Sequence, residues 1–187
     1  GATTPVLKTY IPDDSFENYL EANGMGDGIV FNDSVPTSSI EMVMLLNISG
    51  LNIYDLTGIE DFIALAALTC NDNQLTTLDL SNNTSLSYLE CWGNQLTTLD
   101  FSQNLLIDYL FCQDNQLTSI DITSNVALVV LRLEYNQLIS LDLSNNTNLE
   151  YLDFFDSQLT TIDLSQNTNL IELRCGYNQL TNLDLSQ

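Results

Sequence analysis

From Leu65 onward, apolar residues fall on a fixed grid. The unit LxxLxCxxNQLTxLDLSxNTx recurs with copies beginning at Leu65, Leu86, Ile107, Leu128, Leu149 and Leu170, and no insertion interrupts them. Within the copy LSYLECWGNQLTTLDFSQNLL, Leu86, Leu89 and Cys91 form one apolar set and Leu96, Leu99 and Phe101 another. Leu89-Glu90-Cys91 and Leu99-Asp100-Phe101 both alternate, which is strand periodicity. Gly93-Asn94-Gln95 and Ser102-Gln103-Asn104 separate the two segments as turns. Each copy therefore predicts a coil of two short extended segments and two bends, with no helical stripe. Stacked coils bury their apolar edges against one another and place parallel strands ~4.8 Å apart.

The polar positions that repeat read as structural. Asn73, Asn94, Asn115, Asn136 and Asn178 occupy one turn position, with Ser157 as the exception. A carboxamide both donates and accepts, so this column predicts a ladder tying each coil to the next, weakened at Ser157. Gln74, Gln95, Gln116, Gln137, Gln158 and Gln179 recur without exception, and the same bend-locking work is expected of them. Cys70, Cys91, Cys112 and Cys175 share a position filled elsewhere by Leu133 and Phe154. That exchange predicts an inward apolar site holding reduced thiols; a zinc site is disfavoured by the linear arrangement and the absence of His.

The pattern resembles leucine-rich repeats, with the LxxLxLxxNxL core intact in most copies, and in particular the irregular 21-residue bacterial class, in which LDLSxNxx nests a second motif. The resemblance covers residues 43–187. It implies a repeat solenoid, an arc of stacked coils with parallel β-sheets that serves protein or glycan recognition without enzymatic activity. Residues 1–42 are expected to form an N-terminal cap with one short helix, read over 10–24: Pro12 and Asp13 open it, Phe16, Tyr19 and Leu20 face inward, and Gly24 closes it. Ile40 to Ile48 reads as extended. Residues 43–64 read as a divergent first repeat in which Leu51 replaces the ladder Asn. The Pro-Asp-Asp-x-Phe-Glu opening resembles caps of secreted bacterial relatives, which implies an extracellular or bacterial cell-surface location. The terminal sequences suggest a piece of a longer protein with additional domains.

Charge narrows the partners. Three basic residues (Lys8, Arg132, Arg174) stand against 25 acidic ones, a formal net charge of -22. Phosphate neutralisation needs Lys and Arg, so nucleic acid is excluded as a partner, and an anionic membrane surface is disfavoured. No apolar run reaches the length of a membrane span, so membrane insertion is not expected. With no His, nucleophile-base arrangements built on it are absent, and the acids show no differentiated pair across a cleft. The expectation is a non-enzyme without a cofactor. Asp79, Asp100, Asp121, Asp142, Asp163 and Asp184 form an outward column. It is either a weak Ca²⁺ site or a row compensated by backbone amides and by Thr77, Thr98, Ser119, Ser140 and Thr161.

The other strand does not repeat on its outward face. It reads Tyr88, Glu90, Trp92; Tyr109, Phe111, Gln113; Val130, Arg132, Glu134; Tyr151, Asp153, Phe155; and Glu172, Arg174, Gly176. The family resemblance makes this the concave side. Exposed aromatics at this density mark an interaction surface, although β-strands also stack aromatics for stability. Tyr88, Trp92, Tyr109, Phe111, Arg132, Tyr151, Phe155 and Arg174 are the expected contacts for a protein or polysaccharide, the two arginines engaging acidic groups or pairing locally. The alternative is a spacer or adhesion stalk without a ligand of its own.

Overall fold

The computed structural model describes residues 5–183. Seven three-residue strands, β3 (Leu45–Asn47), β4 (Ala67–Thr69), β5 (Tyr88–Glu90), β6 (Tyr109–Phe111), β7 (Val130–Arg132), β8 (Tyr151–Asp153) and β9 (Glu172–Arg174), form one parallel sheet in sequence order. Successive partners lie 21 residues apart from Ala67↔Tyr88 to Asp153↔Arg174, so like positions stack in columns. The inward residues, Leu68, Leu89, Leu110, Leu131 and Leu152, are completely buried. They join one continuous core with Leu75, Leu96, Leu117, Leu138 and Leu159 from across the coil. Cys70, Cys91 and Cys112 are free thiols in that core, and burial pushes each of them up. They pack as small apolar side chains.

The bend after the sheet is held by the Asn column. Asn94 Nδ2 donates to Cys70 O of the preceding coil (3.1 Å) and to Cys91 O of its own (3.0 Å), while its Oδ1 accepts from Leu75 N–H (3.0 Å). Asn115 and Asn136 repeat the pattern, and Asn178 does so from Phe154 to Leu159. At Ser157 the hydroxyl is buried without a hydrogen-bond partner, and Leu138 N–H loses the carboxamide that Leu117 and Leu159 have. The Gln residues act otherwise than expected. Their side chains are exposed, and it is their backbone that crosses between coils, as in Gln95 N–H to Leu75 O at 2.9 Å.

A second ladder, not anticipated from the sequence, holds the opposite bend. Asn83, Asn104, Asn125, Asn146 and Asn167 are at most 1% exposed. Asn104 Nδ2 donates to Leu80 O (2.9 Å) and Asn83 O (3.0 Å), both in the preceding coil. This bend also explains why the second extended segment builds no second sheet: among the described residues it makes only the bridge Asp100↔Asp121. Its donors are used locally. Ser102 N–H turns to Asp100 Oδ1 (2.8 Å) and Asn104 N–H to Phe101 O (3.0 Å).

The Asp column belongs to these turns. Asp79, Asp100, Asp121, Asp142 and Asp163 each accept the N–H two residues on, from Ser81, Ser102, Thr123, Ser144 and Ser165. These bonds hold every one of the five carboxyls below the usual 3.8, and for Asp100 they outweigh repulsion from Asp79 and Asp121. The compensating groups are thus the residues after each Asp, not the Thr and Ser two before it. Asp184 lies outside the described residues.

The N-terminal segment covers the first coil. β1 (Lys8–Tyr10) pairs antiparallel with β2 (Ser34–Pro36), and the helix is α1 (Asp14–Ala22), shorter than 10–24. Asp13 is its N-cap: one carboxylate oxygen takes Ser15 N–H (2.9 Å) and Phe16 N–H (3.0 Å), and the other takes Tyr54 N–H (2.8 Å) in the first coil. A single side chain therefore caps the helix and docks it. Phe16 and Leu20 are fully buried, and Phe16 stacks on Phe62 at 6.1 Å. Of the stretch read as extended, Ile40 to Ile48, Leu45–Asn47 forms β3, whereas Ile40 ends a short helix, α2 (Thr37–Ile40).

Two outcomes follow. Ser157→Asn restores the missing rung and should raise stability by about 1 kcal/mol, whereas Asn115→Ala, which strands buried carbonyls, should lower it by about 2–3 kcal/mol; chemical denaturation of each variant measures both. The Asp row has depressed folded-state values, so its contribution is present above the unfolded carboxyl value and is lost as pH falls through the folded one. Carboxyl NMR titration should place these five Asp below 3.8, with acid unfolding accompanying their protonation.

Candidate functional site

Because the strands stack in register, the outward residues of the sheet form three columns. Tyr88, Tyr109, Val130 and Tyr151 lie in the first, and Glu90, Phe111, Arg132, Asp153 and Arg174 in the second. Trp92, Gln113, Glu134, Phe155 and Gly176 follow two residues beyond the second. All eight expected contact residues are carried by this one face, but they divide into groups with different surroundings.

Tyr88, Tyr109 and Phe111 make the first group. Tyr88 lies 6.0 Å from Tyr109 and 5.6 Å from Phe111 between ring centroids. Glu90 holds the edge of this cluster: the Tyr88 hydroxyl donates to one carboxylate oxygen and Trp92 Nε1 to the other at 3.3 Å. Burial, with help from Glu90, pushes the Tyr88 phenol up to about 12. The aromatics are therefore half-buried and fixed before any partner arrives.

Phe155 centres the second group. Its ring lies 5.8 Å from Tyr135 and 4.9 Å from Tyr177, neither of which was among the expected contacts. Both tyrosines sit at a turn position that needs a left-handed backbone, φ 58° and 55°, where other coils use Asp72, Gly93, Asp114 and Asp156. A bulky residue there costs about 1–2 kcal/mol, which stacking on Phe155 offsets in part. Arg174 lies 5.8 Å over the Tyr151 ring and pairs with Glu172 at 2.8 Å.

Between the two groups lies a polar patch whose burial is not expected from the sequence, although Glu134 and Asp153 read there as local partners for the arginines. Gln113, Glu134 and Asp153 are 9%, 4% and 3% exposed although they sit on the outward face. Arg132 pairs with Glu134 beside them, the local pairing that the surrounding acidity favours. Burial raises the Glu134 carboxyl above its usual value, nearby Asp153 adds to the rise, and Arg132 opposes it. Their sequence signal was weak: three non-repeating polar residues in columns otherwise rich in aromatics. A groove of about 630 Å³ opens here, lined by Arg132, Glu134, Tyr135, Asp153, Phe155 and Arg174 among others.

Among the described residues of this face, no three carboxylates or thiols have ligand atoms mutually within 4.8 Å. The group with carboxylate oxygens mutually within 4.8 Å is in the cap, at Asp14, Glu17 and Asp33. The described residues contain no helix long and apolar enough to cross a membrane.

No protein-family model matches the chain. Internalin J of Listeria monocytogenes serotype 4b is 35% identical over 96 residues, covering 45% of this chain and 10% of that protein. The chain thus spans about a tenth of that curated relative. Among solved structures, internalin C2 of Listeria monocytogenes superposes with a TM-score of 0.78 at 25% identity, covering 97% of this chain and 84% of that one. The functional domain of the Listeria protein InlJ, described as including a cysteine ladder, gives 0.51 at 25% identity over 98% of this chain and 55% of that one. A Leptospira interrogans leucine-rich-repeat protein gives 0.73 at 24% identity over 80% of this chain and 41% of that one, which speaks to fold alone. Period, register and these likenesses agree: the chain has the leucine-rich-repeat solenoid fold of these bacterial proteins, built on a 21-residue period.

Proposed function

We propose that this chain is a non-catalytic recognition module that binds a protein through the aromatic face of its parallel sheet. The observation that carries the reading is the contrast between its two sides. The Asp side repeats one turn in coil after coil, while the sheet face presents two different aromatic clusters on an identical scaffold. Tyr and Trp contribute large contact area at small entropic cost, and here Glu90 has already ordered two of them. Prior ordering lowers what a partner must spend on binding. The similarity to internalins supports protein recognition and an extracellular or bacterial cell-surface setting. A polysaccharide can use the same aromatic platforms, and a bare spacer needs none of them.

Screening the 187-residue chain against protein and glycan arrays separates these outcomes. Trp92→Ala and Tyr109→Ala are each expected to weaken a protein hit by about 2 kcal/mol, roughly thirtyfold, without a matching loss in thermal midpoint. Binding that survives both changes removes the sheet face, hits confined to the glycan array turn the assignment to polysaccharide, and a blank on both arrays favours the spacer.

A further inference from the structure

We propose that the polar patch between the two aromatic clusters is a subsite for the cationic end of a basic side chain, lysine or arginine, presented by the protein partner. It rests on the reading of the sheet face as a recognition surface and adds the chemistry that the partner must bring.

The patch is built but incomplete. Gln113 Oε1 and Glu134 Oε2 are buried acceptors without a hydrogen-bond partner, and Arg132 Nε is a buried donor in the same condition. Around them, Arg132 pairs with the other Glu134 oxygen, and Asp153 Oδ1 accepts Phe155 N–H at 3.0 Å. Buried polar atoms in folded proteins are nearly always partnered. Unpartnered oxygens also recur in the second Asn ladder, but Glu134 belongs to a non-repeating column and lines a groove, where its open oxygen points to a missing donor. Phe111, Arg132 and Asp153 are cross-strand neighbours, which keeps the orphans in adjoining rows of one sheet.

Charge selects the class of group. Around the groove three carboxylates, Glu134, Asp153 and Glu172, face two guanidiniums, Arg132 and Arg174, leaving one negative charge over. A neutral amide would fill the open acceptors and leave that charge buried; an anion would add to it. An ammonium or guanidinium supplies several donors and the balancing charge together. Among the described residues, every Lys and Arg is already paired. Lys8 is held by Asp27 in the cap at 2.7 Å, and Arg132 and Arg174 are held by Glu134 and Glu172. A divalent metal is disfavoured because, among the described residues, Glu134 and Asp153 are joined by no third carboxylate or thiol within coordinating reach.

The surroundings suit a side chain better than a free amine. Tyr135, Phe155 and Leu173 line the groove and offer apolar surface to a methylene stem, while the charged end reaches Glu134 and Asp153, which line it too. A net charge of -22 draws such a partner from a distance and repels an acidic one.

The test is a ¹⁵N NMR titration of the 187-residue chain with three probes: the N-acetyl methylamides of lysine, arginine and norleucine. Saturable shifts at residues 113, 134 and 153 are expected with lysine or arginine, the comparison of those two identifying which side chain fits. Norleucine, which keeps the stem and drops the charge, should give none. Glu134→Gln should weaken the response roughly tenfold or more, with Asp153→Asn as the second variant should the first destabilise the fold. An equal response to norleucine, no saturable shift at these residues, or unchanged affinity in both variants overturns the subsite. A protein hit that is lost in Trp92→Ala but unaffected by Glu134→Gln overturns the subsite while leaving the recognition face standing. A hit indifferent to Trp92→Ala and Tyr109→Ala counts against the face itself.

Discussion

The constraint on which the structure depends is that each bend must return the chain without stranding its backbone polar groups in the core. A 21-residue coil turns twice, and at both turns carbonyls point inward, where water cannot serve them. The carboxamide of Asn answers this: its amide donates to two carbonyls at either bend, and at the bend after the sheet its oxygen accepts as well. At the bend after the sheet, Asn94 reaches two carbonyls in two coils and takes an amide from the earlier one. At the opposite bend, Asn104 reaches two carbonyls of the preceding coil. Because every rung joins neighbours only, order propagates from coil to coil, and a defect such as Ser157 weakens one junction without changing the register around it.

That fixed register turns sequence variation into surface chemistry. With the backbone path repeated, a column of the sheet differs only in side chains, and those side chains stand one strand spacing apart. Aromatic rings can then stack along a column, as Tyr88 does on Tyr109, or across two columns, as it does on Phe111. The electrostatics follow the same division. On the Asp side each carboxylate is consumed by its own turn, so a row of like charges persists without a counter-charge. On the sheet side, carboxylates meet the two arginines, and Glu134 and Asp153 are pressed out of solvent by their neighbours.

How much of this could be read in advance depended on the range of the interaction. The core, the period and the sheet-side Asn column were legible because the same residue type recurs at the same spacing and its role is local. The same signal misled for Gln95 and its equivalents. An invariant residue at a bend can be there for its side chain or for the path of its backbone, and periodicity does not tell the two apart. Asn104 and its equivalents were hidden inside a turn motif that already had an explanation. The second sheet failed to form because Asp100 and Ser102 close a local turn, a competition between local and inter-coil bonds that alternation alone cannot weigh. The burial of Gln113, Glu134 and Asp153 was unreadable for a different reason: it is created by neighbours one coil away on either side.

These exceptions carry more functional information than the rule they break. A repeat that served only as scaffold would fill the positions of Gln113 and Glu134 with the same small or apolar residue in each coil and leave no acceptor open. Here the left-handed turn position bears Tyr135 and Tyr177, which strain the backbone and stack on Phe155. The adjoining columns hold buried charge that the chain itself does not balance. Both features cost stability in the isolated protein, and both lie on the same face, next to the same groove. Strain and unbalanced charge placed together on a rigid sheet are relieved most directly by a partner that covers them, so the stability forgone in the free solenoid is recovered as selectivity in the complex.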